Sequence, residues 1–256
     1  MTTKTTFNSW ITRPQPNPHA KMRLFCLPYA GGSAVIFRTW LKNLPPTIEV
    51  CPIEIPGRGR QMILPPHTKM PSLVAEIAKN IIPFLDKPFA IFGHSMGGQV
   101  SFELARLLRS DYQLKPIHLF ISGRKAPQIN STKRKIYNLP DQEFWQEVNK
   151  LNGTPNEVIE NAEMIEIFLP ILRADFTVLE THIHTNQQPF DFPISVFGGL
   201  QDTEVPTYQL EAWREHTTAN FSLQMLEGDH FFLRSNEKLL LSKISQQLRE
   251  NSMINI

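Results

Sequence analysis

The chain is poor in cysteine. Only Cys26 and Cys51 occur in its 256 residues, both inside apolar, strand-like runs. A disulfide framework is therefore not indicated, and buried free thiols are expected. No uninterrupted apolar run approaches the roughly 18 residues that a bilayer crossing requires, so no membrane partner is expected. The N-terminus, MTTKTTFNSWITRPQPNP, lacks an apolar core of signal-peptide length, which makes the cytosol the expected compartment. An excess of one charge is missing too. Lys plus Arg number 26 against 24 Asp plus Glu, a net +2, and nothing in that balance points to nucleic acid. Internal repeats and low-complexity tracts are absent. With 41% hydrophobic and 20% charged residues, a sizeable core is available, and the length suits one α/β domain or two small ones.

Residues 1–20 are polar and proline-bearing and read as a loose lead-in. A rhythm of strands and helices follows. Arg23–Pro28 is a short apolar run that breaks at Tyr29-Ala30-Gly31-Gly32-Ser33. A helical stretch comes next, with Phe37, Trp40 and Leu41 on one side. Ile48–Ile53 reads as a second strand, followed by the loop Pro56-Gly57-Arg58-Gly59-Arg60. Apolar doublets every four residues over 71–85 predict an amphipathic helix. Phe89–Phe92 is the next strand, Val100, Leu104, Leu107 and Leu108 mark the next helix, and Ile117–Ile121 is a strand ending at Ser122-Gly123. Such alternation implies a mostly parallel sheet flanked by helices, an α/β class. Between Arg124 and Pro189 the rhythm lapses. Asp141–Lys150 and roughly Asn156–Leu179 read as helices with no convincing strand. The rhythm resumes with a strand at Ile194–Phe197, a helix near Tyr208–His216, a strand at Phe221–Leu226 and a last helix marked by Leu240, Leu241, Ile244 and Leu248. Residues 124–189 are thus expected to be a helical insertion, a lid or partner surface, within a single domain spanning 1–256. The alternative is an elaboration packed on the core.

Gly93-His94-Ser95-Met96-Gly97 has the form G-x-S-x-G. Alone the pentapeptide is weak, arising by chance in roughly one chain in ten at average glycine and serine frequencies. Its context is what matters: a strand runs into it and a helix runs out. A strand that turns sharply into a helix leaves the serine at the apex in a strained conformation, and glycines on either side remove the collisions that side chains would cause. The helix N-terminus beneath offers unpaired N–H groups to developing negative charge.

A serine hydroxyl needs a base, and the base needs an orienting carboxylate. In this architecture the chain order is serine, acid, histidine. Among the downstream histidines, His230 lies in Glu227-Gly228-Asp229-His230-Phe231 just after the last strand, where open α/β sheets place their sites. His118 falls inside a strand. His216 ends a surface helix and is expected to be solvated. His182 and His184 form an H-x-H pair without nearby cysteine or a clear acidic set, so no metal is expected. Asp202 follows the strand at 194–197 and is the expected acid. Its rival Asp175 lies on an insertion helix, where pairing with a nearby Arg is expected, and Asp229 is adjacent to His230. An oxyanion needs two N–H donors. Met96, after the serine, is one, and Tyr29 or Ala30 in the glycine loop after the first strand is the other.

Taken together, these segments resemble the type II (external, editing) thioesterases of nonribosomal peptide and polyketide synthesis, within the α/β-hydrolase superfamily. LPYAGGSA at 27–34, IPGRGR at 55–60, GHSMGG at 93–98, LRADF at 172–176, GGLQD at 198–202 and EGDHFFL at 227–233 look like that family's motifs in order, over most of the chain. The resemblance implies an α/β-hydrolase fold with a mobile helical lid. It implies hydrolysis of acyl groups from the phosphopantetheine thiol of a carrier protein, without cofactor, and it favours Ala30 over Tyr29 as the oxyanion donor. The stretch RKAPQINSTKRK at 124–135 is more basic than the resemblance requires. Lys133 and Arg134, with Arg58 and Arg60, are candidates for docking an acidic acyl- or peptidyl-carrier, and nothing demands more than a monomer. The same triad would serve a medium-chain fatty-acyl thioesterase or a general carboxylester hydrolase. A non-catalytic binding module on this fold would tolerate loss of the triad, and a cyclising enzyme is usually fused to its synthase.

Overall fold

The computed structural model describes residues 9–13, 16–131, 133–151, 153 and 161–252. Among the described residues, six strands form one sheet: β1 (Met22–Leu27), β2 (Ile48–Pro52), β3 (Phe89–His94), β4 (His118–Ser122), β5 (Ile194–Gly199) and β6 (Phe221–Leu226). Their order is β2-β1-β3-β4-β5-β6 and every pairing is parallel. The first five are buried along their whole length, as strands covered on both faces must be. Side chains alternate between two cores. Phe25, Ile91, Leu119 and Ile121 face one, with α1 (Met70–Ile81) and α2 (Met96–Tyr112). Leu24, Ala90, Phe92 and Phe120 face the other, with Phe37, Trp40 and the apolar stripe of the last helix, Glu237–Ser252.

The doublets over 71–85 do form a helix, but it ends at Ile81 and tightens into a 3₁₀ turn over Ile82–Phe84, because Pro83 can supply no N–H to continue it. The stretch after β1 is shorter than a regular helix: a 3₁₀ turn at Ala34–Phe37 and one turn at Trp40–Asn43, with Phe37 and Trp40 buried as expected. The lead-in is not loose where it is described. Trp10 and Ile11 are buried, Ile11 bridges to Ile53, and Thr12 N–H donates to the Pro52 carbonyl. Two large apolar side chains in an otherwise polar stretch suffice to dock it. Residues 1–8 and 14–15 lie outside the described residues.

Between β4 and β5 the described residues contain helices and no strand. They include α3 (Asp141–Asn149) and α4 (Ala162–Thr181), which share a small core of Leu139, Phe144, Val148 and Leu172. Asn161 caps α4 by accepting from the Glu163 and Met164 N–H groups, which sets its start. The earlier part of the helix expected from Asn156 lies outside the described residues. No described helix is long and apolar enough to cross a membrane.

His216 is half-buried rather than freely solvated. It is wedged among Phe102, Trp213 and His184 and its Nε2 meets Gln128, and burial pushes its pKa down to about 4. His118 stacks on Phe120, meets the Ser195 hydroxyl at 2.8 Å, and is pushed down to about 3. Both imidazoles are neutral in the fold and take up protons below about pH 6.5 once unfolded. The folded pKa is the lower one, so the stabilisation is complete above about pH 6.5 and is lost as pH falls toward the folded values. For His118 the slope approaches about 1.4 kcal/mol per pH unit. His216 contributes less because it is partly solvated. Urea unfolding from pH 7.5 to 4.5 is expected to show falling stability that begins near pH 6.5, and that His118→Gln flattens. A plateau down to pH 4.5 would contradict this.

Candidate active site

The chain turns from β1 outward to β2, then crosses back to β3 and proceeds the other way. Sheet order therefore reverses between β1 and β3, and the crevice at their C-terminal ends is where such sheets bind ligands. Ser95 sits there, between β3 and α2, with φ 52° and ψ −111°. A side chain rarely adopts that left-handed φ, so the turn is strained. The turn is also closely packed. A Cβ on Gly93 would lie 2.0 Å from the Gly97 carbonyl oxygen, and one on Gly97 would lie 2.2 Å from the Leu27 carbonyl oxygen. Ser95 N–H donates to the Ser122 carbonyl at 2.7 Å, tying the apex to β4.

His230 and Asp202 come from the loops after β6 and β5. His230 Nε2 lies 3.0 Å from Ser95 Oγ, and His230 Nδ1 lies 2.8 Å from Asp202 Oδ2. The other Asp202 oxygen accepts the N–H groups of Glu204 at 2.8 Å and Val205 at 3.3 Å, so the carboxylate cannot rotate away from the imidazole. The Asp202 side chain is 1% exposed and that of His230 13%. The serine, histidine and acid singled out in the sequence are thus brought together as a hydrogen-bonded relay.

Met96 is the first residue of α2, and Ala30 lies in the glycine loop after β1. The N–H groups of both residues belong to segments flanking Ser95. The glycine loop is closed by Gly32 N–H donating to the Tyr29 carbonyl, with Gly31 at φ +75°. A cavity of about 490 Å³ opens over Ser95 and His230, walled by Phe168, Leu172, Phe176 and Leu179 of α4. It shares Arg124, Lys125 and Lys133 with a wider cleft of about 1110 Å³. Burial lowers the Arg124 pKa to about 10 and, together with Arg124 and Lys133, lowers that of Lys125.

The docking candidates fare differently. Arg58 is 2% exposed and forms a two-pronged pair with Asp175, each contact 2.7 Å, so it has no surface to offer a partner. Arg60, on the same loop, is exposed. Lys133 is exposed and meets Glu204 at 2.7 Å, and Arg134 lies 3.7 Å from Glu143. Asp175 is the structural acid that its helix position suggested. Of the H-x-H pair, His182 meets Glu103 at 2.9 Å while His184 packs against His216 and Phe102.

The sequence reading passed over His94, the second residue of the pentapeptide. It is fully buried, its Nδ1 meets Ser122 Oγ at 2.9 Å, and its ring is 5.3 Å from that of His230. Burial, then the neighbouring His230, push its pKa well down. It therefore stays uncharged beside the imidazole that must take up a proton. Its place inside the motif was the available signal.

The thioesterase-domain family profile matches residues 22–248. The chain belongs to the thioesterase family. Among its relatives, the gramicidin S biosynthesis protein GrsT of Aneurinibacillus migulanus is 46% identical over 242 residues, covering 94% of both chains. A Brevibacillus parabrevis protein named linear gramicidin dehydrogenase LgrE is 44% identical over 243 residues, 94% of this chain and 92% of its own. The solved type II thioesterase BorB from the borrelidin biosynthetic cluster superimposes with a TM-score of 0.87 at 31% identity, over 96% of this thioesterase and all of BorB. The thioesterase is a serine-type thioester hydrolase of the α/β-hydrolase fold.

Proposed function

We propose that this thioesterase releases acyl groups from the phosphopantetheine thiol of carrier proteins, clearing misprimed or stalled carriers in peptide or polyketide assembly. The observation that carries this reading is the Asp202–His230–Ser95 relay beneath an apolar cavity walled by an inserted helix. His230 Nε2 takes the Ser95 hydroxyl proton as Oγ attacks the thioester carbonyl, and Asp202 holds the imidazole and stabilises its cation. The N–H groups of Ala30 and Met96 hold the tetrahedral oxyanion. Collapse breaks the carbon–sulfur bond, and His230 returns the proton to the leaving thiolate. Water, deprotonated by His230, then hydrolyses the acyl-Ser95. The insertion at 124–189 acts as the lid, and Phe168, Leu172 and Phe176 receive the acyl chain. Lys133, Arg134 and Arg60 offer exposed positive charge to an acidic carrier in the cytosol. Relatives from gramicidin and borrelidin biosynthesis support this substrate class.

The test is a side-by-side assay of acyl-carrier, the matching acyl-CoA and the matching oxygen ester. Fastest release from the carrier, slower from CoA and least from the ester is expected. The Lys133→Glu/Arg134→Glu variant is expected to raise KM for acyl-carrier several-fold and to leave a short acyl-pantetheine thioester unaffected. Ester hydrolysis outrunning both thioesters would make the protein a general esterase. Preference for free medium-chain acyl-CoA would make it a fatty-acyl enzyme. Equal effects of the charge reversal on both thioesters would remove the docking role.

A further inference from the structure

Asp175 on α4 does more than neutralise a buried arginine. Its Oδ1 accepts from Arg58 Nη2, while its Oδ2 accepts from both Arg58 Nη1 and the backbone N–H of Gly31, all at 2.7 Å. Gly31 follows Ala30 directly in the loop after β1. Arg58 Nη1 also reaches the Gly32 carbonyl at 3.3 Å. One turn earlier on the same helix face, Leu172 lies so close to Gly31 that a Cβ there would fall 2.7 Å from its Cδ2. Two residues of the insertion helix and one from the loop after β2 thus hold the Ala30–Gly31 peptide by its N–H, pack on Gly31 and reach the next carbonyl along, that of Gly32. Asp175 is 2% exposed, and its partners are 144 and 117 positions away in the chain.

We infer that Asp175 is a positioning residue for the oxyanion hole, setting the Ala30 N–H through its grip on Gly31, so that the hole is assembled only while α4 is seated. The inference rests on reading Ser95, His230 and Asp202 as the reacting centre. A short turn with a glycine at φ +75° has other conformations open to it, and a peptide whose N–H is held by a buried carboxylate does not. The seated helix also closes the acyl cavity, so the same contact couples occupancy of the cavity to readiness of the hole.

The test compares Arg58→Met/Asp175→Leu, which removes the pair without stranding a charge, with Asp175→Asn, which keeps one oxygen for Gly31. The double variant is expected to unfold near the wild-type temperature. Its kcat on an acyl-pantetheine thioester should fall roughly 10- to 100-fold with KM changed less than about 3-fold, since misplacing a catalytic group by about an ångström has that cost. Its affinity for a trifluoromethyl ketone analogue, whose adduct places an oxyanion in the hole, should fall in proportion to kcat. Asp175→Asn should lie between the double variant and wild type on both readouts. Wild-type kcat and wild-type ketone affinity in either folded variant would overturn the inference, as would loss of stability with unchanged kcat per folded molecule. Ser95→Ala is run alongside. If it abolishes turnover while the folded variants keep theirs, this inference alone fails, whereas activity in Ser95→Ala would remove the site reading and this inference with it.

Discussion

Ser95→Ala, His230→Ala and the double replacement are expected to fall to one common floor, about 10⁴- to 10⁶-fold below wild-type kcat. The reason is that the two groups perform a single proton transfer. With Nε2 3.0 Å from Oγ, the imidazole has no task without the hydroxyl, and the hydroxyl is a poor nucleophile without the imidazole. Energies of groups that act as a unit do not add, so the double variant should lose no more than either single one. The serine change itself should cost no more than about 1 kcal/mol, because alanine keeps the Cβ at the apex and loses only one hydrogen bond of a half-buried hydroxyl. Single-turnover hydrolysis of an acyl-pantetheine thioester reads the chemistry without interference from product release. Multiplicative losses in the double variant would mean that the two residues act in separate steps.

Gly93→Ala is expected to cost the protein its fold, a loss of at least about 4 kcal/mol. The new methyl would sit 2.0 Å from the Gly97 carbonyl oxygen, 2.2 Å from its carbon and 2.4 Å from Ser101 Oγ, so backbone on both sides of the elbow must move. Gly98→Ala is the internal control. There the nearest atoms lie at 3.0 Å or beyond, the first of them a side-chain carbon of Arg124, and only a small shift is needed. Urea unfolding of the two variants should separate them by several kcal/mol. A Gly93→Ala protein melting within a few degrees of wild type would show that the elbow can relax.

Much of this site was legible because its signals are local. Ser95 stands between glycines at a strand-to-helix junction, and Asp202 and His230 each follow a strand within a few residues, so chain order and strand ends were enough to select them. Arg58 misled because a loop arginine beside glycines reads as exposed. Its partner is 117 positions away, and no local pattern records that approach. Arg173, the arginine near Asp175 in sequence, instead donates to the Tyr137 and Leu139 carbonyls and to Asp141. His216 ends a helix with polar neighbours, yet tertiary packing sets its ring against Phe102 and His184 from other segments, beside Trp213 of its own turn. Trp10 and Ile11 show the same limit, since their docking onto the strand side of Ile53 overrides the polar, proline-bearing stretch around them.

The two cysteines lie on neighbouring strands, β1 and β2, and both are fully buried. Burial, then the charge of Glu49, push the Cys51 thiol up to about 12, and burial raises Cys26 well above its ordinary value. A thiol that keeps its proton and meets no solvent does not attack disulfide reagents. Every turnover on a pantetheine thioester, by contrast, sets free an exposed thiol. The folded protein is therefore optically silent toward an aromatic disulfide indicator, and the colour formed counts product one for one even when enzyme and acyl-carrier are mixed in equal amounts.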